Sequence, residues 1–275
     1  MIPKNRFRVS ITSECNMRCV YCHNEGNKTN GYMSIDNIVT ILQLAKQLNL
    51  TEIRLTGGEP LIHPKIKEIC NIIKNEYDMK VSINTNLVEN KLLMDLLNHN
   101  LVDHIVVGID YFNGTVSKRS ALGLPSHIIL KKVIEIRRKF GNIISLATVY
   151  NGDIENITKL VDFCITNYIR IKVIERQEKV TDNCYVDSYK QMQDAVIKRY
   201  PLRYLKDEYN EINGYLNNTK VLSFFHSFCR IKRCDLCRSL QLRVTHDCKI
   251  KRCVFDDSFD FSCNDIDVLN KLLRL

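Results

Sequence analysis

From Phe7 to about Arg176 the chain repeats one theme: a short run rich in β-branched residues, then an amphipathic segment about a dozen residues long. Such alternation is the pattern of parallel strands joined by helices, because a parallel pair needs a long crossover and the crossover covers a face of the sheet. FRVSIT (Phe7 to Thr12), EIRLT (Glu52 to Thr56), KVSINT (Lys80 to Thr85), HIVVGI (His104 to Ile109), IISLATV (Ile143 to Val149) and IRIKVI (Ile169 to Ile174) read as six strands, with five helices between them. The first helix, SIDNIVTILQLAKQL, opens with Ser34 as N-cap and Asp36 in the first turn, and carries Ile38, Ile41, Leu42 and Ala45 along one face. Right-handed crossovers curl these units into an α/β fold, a partial (βα)6 barrel over residues 1–180. Beyond Arg176 the alternation stops. A polar, Tyr-rich stretch leads to a second cysteine group with hairpin-like LQLRVT and KIKRCVF and a closing helix NDIDVLNKLLRL, so residues 181–275 read as a small C-terminal module.

A barrel of this kind does its chemistry at the C-terminal ends of its strands. The cysteines of CNMRCVYC (Cys15, Cys19, Cys22) follow the first strand, Gly57-Gly58-Glu59-Pro60 the second, Asn86 the third and Asp110 the fourth, while Asn151 and Glu175 leave the fifth and sixth. All six groups are expected to converge on one face. MIPKNRFRVS holds no apolar run of signal-peptide length and no stretch approaches a membrane span, so the chain reads as soluble and cytoplasmic. In a reducing compartment its 12 cysteines point to metal ligation or catalysis rather than to disulfides. Structural zinc takes four ligands, usually as two close pairs, whereas three thiolates on one short loop leave a fourth position open. Iron-sulfur clusters are also held by closely spaced thiolates, and three of them leave one iron of a cubane free.

CNMRCVYC after a first strand, with TGGEP after the second, resembles the radical S-adenosylmethionine superfamily. The resemblance implies that Cys15, Cys19 and Cys22 hold a 4Fe-4S cluster whose open iron chelates S-adenosylmethionine. It further implies that Glu59, on a Gly57-Gly58 turn where backbone can approach the cofactor, engages the methionine ammonium, and that Tyr21 packs near the adenine. Within the superfamily the chain resembles the GTP 3′,8-cyclase family of molybdenum-cofactor synthesis. FRVSITSEC places Arg8 at the position of a substrate-contacting arginine, IRLTGGEPL matches closely, INTN carries Thr85 and Asn86 at cofactor-binding positions, and KVIERQ and the C-terminal CDLC, LRVT and CVF have counterparts. On that likeness Cys234, Cys237 and Cys253 hold a second, auxiliary 4Fe-4S cluster, with Arg243 beside it.

The chain also departs from the family. The spacing between Cys237 and Cys253 is longer, Cys229, Cys248 and Cys263 are extra candidate ligands, and Ile62-His63-Pro64-Lys65 replaces the basic residues that follow GGEPL. The family's arginine pair is stretched to Arg238 and Arg243, and Leu-Leu-Arg-Leu replaces its terminal double glycine. A zinc ribbon remains open for the second group, and Cys248 could instead return a hydrogen atom to substrate. Cys70 and Cys164 fall in amphipathic helices and read as inert thiols, and His23 and His63 as local hydrogen-bonding groups. The net charge is +9, and Cys229 to Arg252 holds eight basic against two acidic residues, a candidate phosphate clamp.

The expected activity is therefore reductive cleavage of S-adenosylmethionine and hydrogen abstraction from a small phosphorylated substrate, GTP first, with a flavodoxin or ferredoxin-type reductant as partner. A relative acting on another nucleotide, sugar or peptide is the alternative. A zinc-bearing nucleic-acid-binding protein is another, although the basic run has few aromatics for base stacking; neither nucleic acid nor membrane is an expected partner.

Overall fold

The structure is a computed structural model that describes residues 7–19, 21–112, 124–176, 186–207, 211–227, 229, 234, 242–257, 260–265 and 267. Cys184, Cys237, Arg238 and most of the expected closing helix lie outside the described residues. All six expected strands form: β1 (Phe7–Thr12), β2 (Glu52–Gly57), β3 (Lys80–Thr85), β4 (His104–Gly108), β5 (Ile144–Val149) and β6 (Arg170–Ile174). So do the five helices between them, α1 (Ile35–Gln47), α2 (Ile66–Asn71), α3 (Lys91–Asn98), α4 (Ser126–Phe140) and α5 (Ile154–Thr166), with α2 continuing into a π-helical turn at Ile72–Glu76. Ser34 caps α1 by accepting the Asn37 N–H at 3.2 Å, and Ile38, Ile41, Leu42 and Ala45 are all buried. Each Ile or Leu buried in this way stabilises the fold by roughly 1.5–3 kcal/mol.

The chain divides into two compact units. One comprises Met1–Ile105, Arg119–Leu122 and Asp235–Leu275, and the other Val106–Lys118 and Gly123–Cys234. These units cut the chain differently from 1–180 and 181–275: the C-terminal hairpin belongs with the N-terminal half, because β10 (Arg243–Val244) pairs in parallel with β1. In the first unit the strand order is β12 (Phe261–Ser262), β11 (Lys249–Lys251), β10, β1, β2, β3. Phe7, Val9, Ile11, Ile53, Leu55, Val81 and Ile83 form its apolar face, none more than 1% exposed. The period-2 alternation puts Arg8, Ser10, Arg54, Thr56 and Ser82 on the other face, in the register Arg8–Arg54–Ser82.

The second unit orders its strands β5, β6, β9 (Thr219–Phe225), β8 (Glu211–Leu216), β7 (Arg203–Lys206), with β9 parallel to β6 and the last two antiparallel. The sequence reading missed these three strands and α6 (Val186–Arg199). A signal was present: Asn217 and Asn218 join β8 to β9, both with positive φ (49° and 63°), the two-residue turn that Asn favours between antiparallel strands. Among the described residues no helix is long and apolar enough to cross a membrane.

Candidate active site

Two loops of the first unit are welded backbone to backbone. The Gly58 N–H donates to the Thr12 carbonyl and the Glu59 N–H to the Glu14 carbonyl, both at 2.8 Å, so TGGEP lies directly on the segment that leads into Cys15. A Cβ on Gly58 would stand 1.9 Å from the Glu14 oxygen, and one on Gly57, whose φ is +134°, 2.1 Å from the Thr12 oxygen. The two glycines are thus required by close approach to the cysteine loop.

Glu59 is 1% exposed. Its Oε1 accepts the Thr85 hydroxyl at 2.8 Å and the Leu61 N–H at 3.2 Å, and Oε2 accepts the Asn86 N–H at 2.7 Å. The Asn86 side-chain amide donates in turn to Asn16, between Cys15 and Cys19, at 2.7 Å. Glu59, Thr85, Asn86 and the cysteine loop are therefore one hydrogen-bonded body. Burial pushes the Glu59 carboxyl up to about 7, and the bonds from Asn86, Thr85 and Leu61 offset only part of that rise. Among the described residues, the groups that bond to this buried carboxylate are neutral donors.

Cys15 and Cys22 are exposed and Cys19 half-buried, and none of the three is in a disulfide. Backbone N–H groups already point at the sulfurs: Met17 at Cys15 and Asn24 at Cys22, each at 3.3 Å. Partial burial, opposed by the Met17 bond, then the charges of Glu59, Cys19 and Cys22 push the Cys15 thiol up to about 11. Three thiolates and a carboxylate within electrostatic reach of one another, with donors aimed at sulfur, fit a cationic group that would relieve them. Among the described residues no three His, Cys, Asp or Glu side chains stand close enough to share a single metal ion. A cubane makes no such demand, since each thiolate takes a different iron. Tyr21 is half-buried on the same loop.

Arg8 and Arg243 face each other across the β1–β10 pairing. The sequence reading missed what lies between them. Glu25 reaches back from the turn after Cys22, ion-pairs with the Arg8 guanidinium through Oε1 and stands 3.2 Å from Arg243 Nε through Oε2, while Thr56 donates to Oε1 at 3.3 Å. Burial raises this carboxyl, but Arg8, then Arg243 and His23 outweigh it and hold it down to about 2. Asn24, Glu25 and Gly26 all adopt left-handed φ (47°, 52°, 82°), strain that the bonds from the Glu25 N–H to His23 Nδ1 at 3.1 Å and from the His246 N–H to Asn27 Oδ1 at 3.2 Å help to hold. Nothing in the sequence pattern marked this acid as buried.

In the same unit Cys253 is half-buried and accepts the Phe255 N–H at 3.4 Å, while Cys248 and Cys263 are buried. Both histidines set aside earlier are local: His23 accepts from Glu25, and His63 is 2% exposed, with Nε2 3.1 Å from the Met33 carbonyl oxygen. Cys70 is buried and its thiol is pushed up to about 12 by that burial.

In the second unit Cys234 is exposed, Cys229 half-buried and Cys164 buried. Asp110, at the end of β4, is 3% exposed, and burial pushes its carboxyl up to about 8. Two more of the strand-end groups lie in this unit. Asn151 is exposed and holds the turn into α5 by accepting the Asp153 N–H at 3.2 Å. Glu175 lies two residues beyond Val173, hence on the same side of the sheet. It accepts the Ser227 N–H at 2.9 Å, and its charge adds to the burial that raises the Tyr189 phenol, which bonds to the Val173 carbonyl at 2.9 Å. The pleat therefore turns Glu175 toward α6.

The sequence profile of the Radical SAM superfamily matches residues 9–164. Among curated proteins, the chain is 26% identical to a probable GTP 3′,8-cyclase of Methanocaldococcus jannaschii, over 97% of this chain and 89% of that one. It is also 26% identical to a protein of the same description from Methanococcus maripaludis strain C5, over 96% and 88%. Among solved structures, Streptococcus suis SuiB bound to precursor peptide SuiA superposes with TM-score 0.73 at 16% identity, over 98% of this chain and 64% of that one. AnSMEcpe with bound AdoMet and Cp18Cys peptide gives TM-score 0.67 at 15% identity, over 99% and 81%. At those identities the likeness establishes the α/β fold alone. More than half of the chain matches the superfamily profile, and the chain belongs to the radical SAM superfamily as an enzyme of that type.

Proposed function

We propose that this enzyme cleaves S-adenosylmethionine reductively at a 4Fe-4S cluster held by Cys15, Cys19 and Cys22 and abstracts a hydrogen atom from a small phosphorylated substrate. The observation that carries the reading is the fusion of the cysteine loop with Glu59, a buried carboxylate bonded, among the described residues, by neutral donors. When bound, the cluster and S-adenosylmethionine supply one-electron cleavage of a sulfonium and a 5′-deoxyadenosyl radical. Glu59 would accept the methionine ammonium, oriented by Thr85 and Asn86, while Gly57 and Gly58 hold that carboxylate against the loop. Tyr21 would lie along the adenine. Cys234, Cys237 and Cys253 would hold an auxiliary 4Fe-4S cluster, and Arg8 and Arg243 would receive phosphate. A flavodoxin or ferredoxin-type protein would supply electrons.

GTP 3′,8-cyclisation is the specific reaction proposed, supported by the two methanogen relatives. A second reading, a substrate without phosphate, is favoured by one observation: Glu25 already engages both arginines. Anaerobic reconstitution followed by iron analysis and mass spectrometry of products with GTP tests these claims. Two clusters require about eight iron per chain, and about four would remove the auxiliary cluster. 5′-Deoxyadenosine formed without a cyclised nucleotide would leave the radical chemistry and remove GTP.

A further inference from the structure

Arg8 and Arg243 belong to a longer line. The register continues from Arg8 to Arg54 on β2 and from Arg243 to Lys251 on β11, so four cations stand side by side across four strands of the polar face. Carboxylates of the same unit answer them. Glu25 pairs with Arg8 and Arg243, Glu52 with Arg54 at 3.5 Å, and Asp257 and Asp260 with Lys251 at 2.7 and 2.6 Å. Four cations against four carboxylates leave no net charge on the line. Among these four acids Glu25 alone is shared by two arginines, and its side chain is the most buried, at 9% exposure.

The arginines differ in what remains to them. Arg243 is 7% exposed, with its Nε 3.2 Å from Glu25 Oε2, whereas Arg8, at 31%, still reaches solvent. A guanidinium that still reaches solvent can donate to one phosphoryl group. A chain of phosphates would need Arg243 as well, which is buried against the Glu25 carboxylate.

We propose that Glu25 is a specificity-determining residue: by holding Arg8 and Arg243 with a single carboxylate it limits the pair to one further phosphoryl group, so a polyphosphate chain gains nothing from the pair over a monophosphate. This rests on the reading of Arg8 and Arg243 as phosphate-binding, and it means that of a nucleotide's phosphates only one is held by this pair. The turn at residues 24–26 fixes the choice in the backbone, because its left-handed conformation delivers the Glu25 side chain to the arginines.

The test is anaerobic calorimetric titration of the reconstituted wild type and Glu25→Gln with inorganic phosphate, pyrophosphate and tripolyphosphate. Wild type should bind the three within about threefold of one another, and Glu25→Gln, richer by one positive charge, should bind tripolyphosphate about tenfold tighter than wild type with little change for phosphate. A wild type that already prefers tripolyphosphate by about tenfold overturns the inference without recourse to any variant. Phosphate binding to wild type with no gain for longer chains in Glu25→Gln also sinks it, and leaves the phosphate reading standing. No binding to wild type but binding to Glu25→Gln removes the phosphate reading for the native site and supports the role of Glu25. Binding to neither removes both.

Discussion

Gly58→Ala isolates the weld between the two loops. The added methyl would meet the Glu14 oxygen at 1.9 Å, the Glu14 carbonyl carbon at 2.4 Å and the Ser13 oxygen at 2.8 Å, all backbone atoms that no rotamer change can move aside. Ordinary contact begins near 3.4 Å, so the loops must part by more than an ångström. That breaks the Gly58 to Thr12 and Glu59 to Glu14 bonds, both 2.8 Å long. Overpacking costs about 1–3 kcal/mol and two lost bonds about 0.5–1.5 kcal/mol each, less roughly 0.5 kcal/mol regained because Ala restricts the unfolded chain. The expected loss is about 2–5 kcal/mol. Gly152→Ala is the control: its φ is +97° and nothing lies within 4 Å, so it carries backbone strain of about 1 kcal/mol without a clash. Urea unfolding of both variants reads the energies, and iron per chain after reconstitution reads the loop. A Gly58→Ala protein with wild-type stability and full iron would refute the argument that the glycines exist for the cysteine loop.

Three further outcomes are expected. Replacing Cys15, Cys19 and Cys22 together by Ala should abolish 5′-deoxyadenosine formation, and any cleavage that persists places the cofactor elsewhere. Glu59, raised from 4.5 to about 7 by burial, binds more protons folded than unfolded between those values, so its contribution is present below pH 4.5 and is lost as pH rises through 7. In urea titrations of the metal-free chain from pH 4.5 to 8, wild type should lose roughly 3 kcal/mol relative to Glu59→Gln, and parallel curves would contradict the assigned shift. Lys251→Met keeps an apolar stem against Gly26 but strips the ion pair from Asp257 and Asp260. It should destabilise the chain, with part recovered in the double variant that adds Asp260→Asn, and full stability in the single variant would refute the pairing.

The strands and helices up to Arg176 were legible because each rests on a local pattern: a period of two with β-branched residues, or a stripe of apolar residues behind a cap such as Ser34. The cofactor half of the site was legible for a related reason, since the parallel order delivers each strand's end to the same side and the cysteines, Glu59 and Asn86 are read off those ends. What escaped depends on pairing across long sequence separation. No local pattern announces that β10, more than two hundred residues from β1, lies beside it in parallel. Without that pairing Arg243 and Arg8 are two unrelated basic residues. For Glu175 the pleat decided: two residues on from Val173 it shares that residue's side of the sheet, and a strand end by itself does not say which way its last side chain turns.

Charge is where reading by sequence misleads most. Eight basic residues against two acidic between Cys229 and Arg252 describe a local excess, but electrostatic energy follows distance in space. Arg243 and Lys251 are answered by Glu25, far upstream, and by Asp257 and Asp260, just beyond the counted window. A buried ion pair between an acid and two arginines gains little stability over an apolar core, because desolvation takes back most of the attraction. Its worth must then lie in fixing geometry. Here the acid sits three residues after Cys22, so the carboxylate that orients the arginines is delivered by the same loop that presents the third thiolate. Any substrate that draws Arg8 or Arg243 away from Glu25 pulls on that loop, which makes the iron signal of the reduced cluster, recorded with and without phosphate in wild type and Glu25→Gln, a direct report on whether the two halves of the site are coupled. A signal that shifts with phosphate in wild type and not in Glu25→Gln establishes the coupling, and one indifferent to phosphate in both shows that the loop and the arginines act independently.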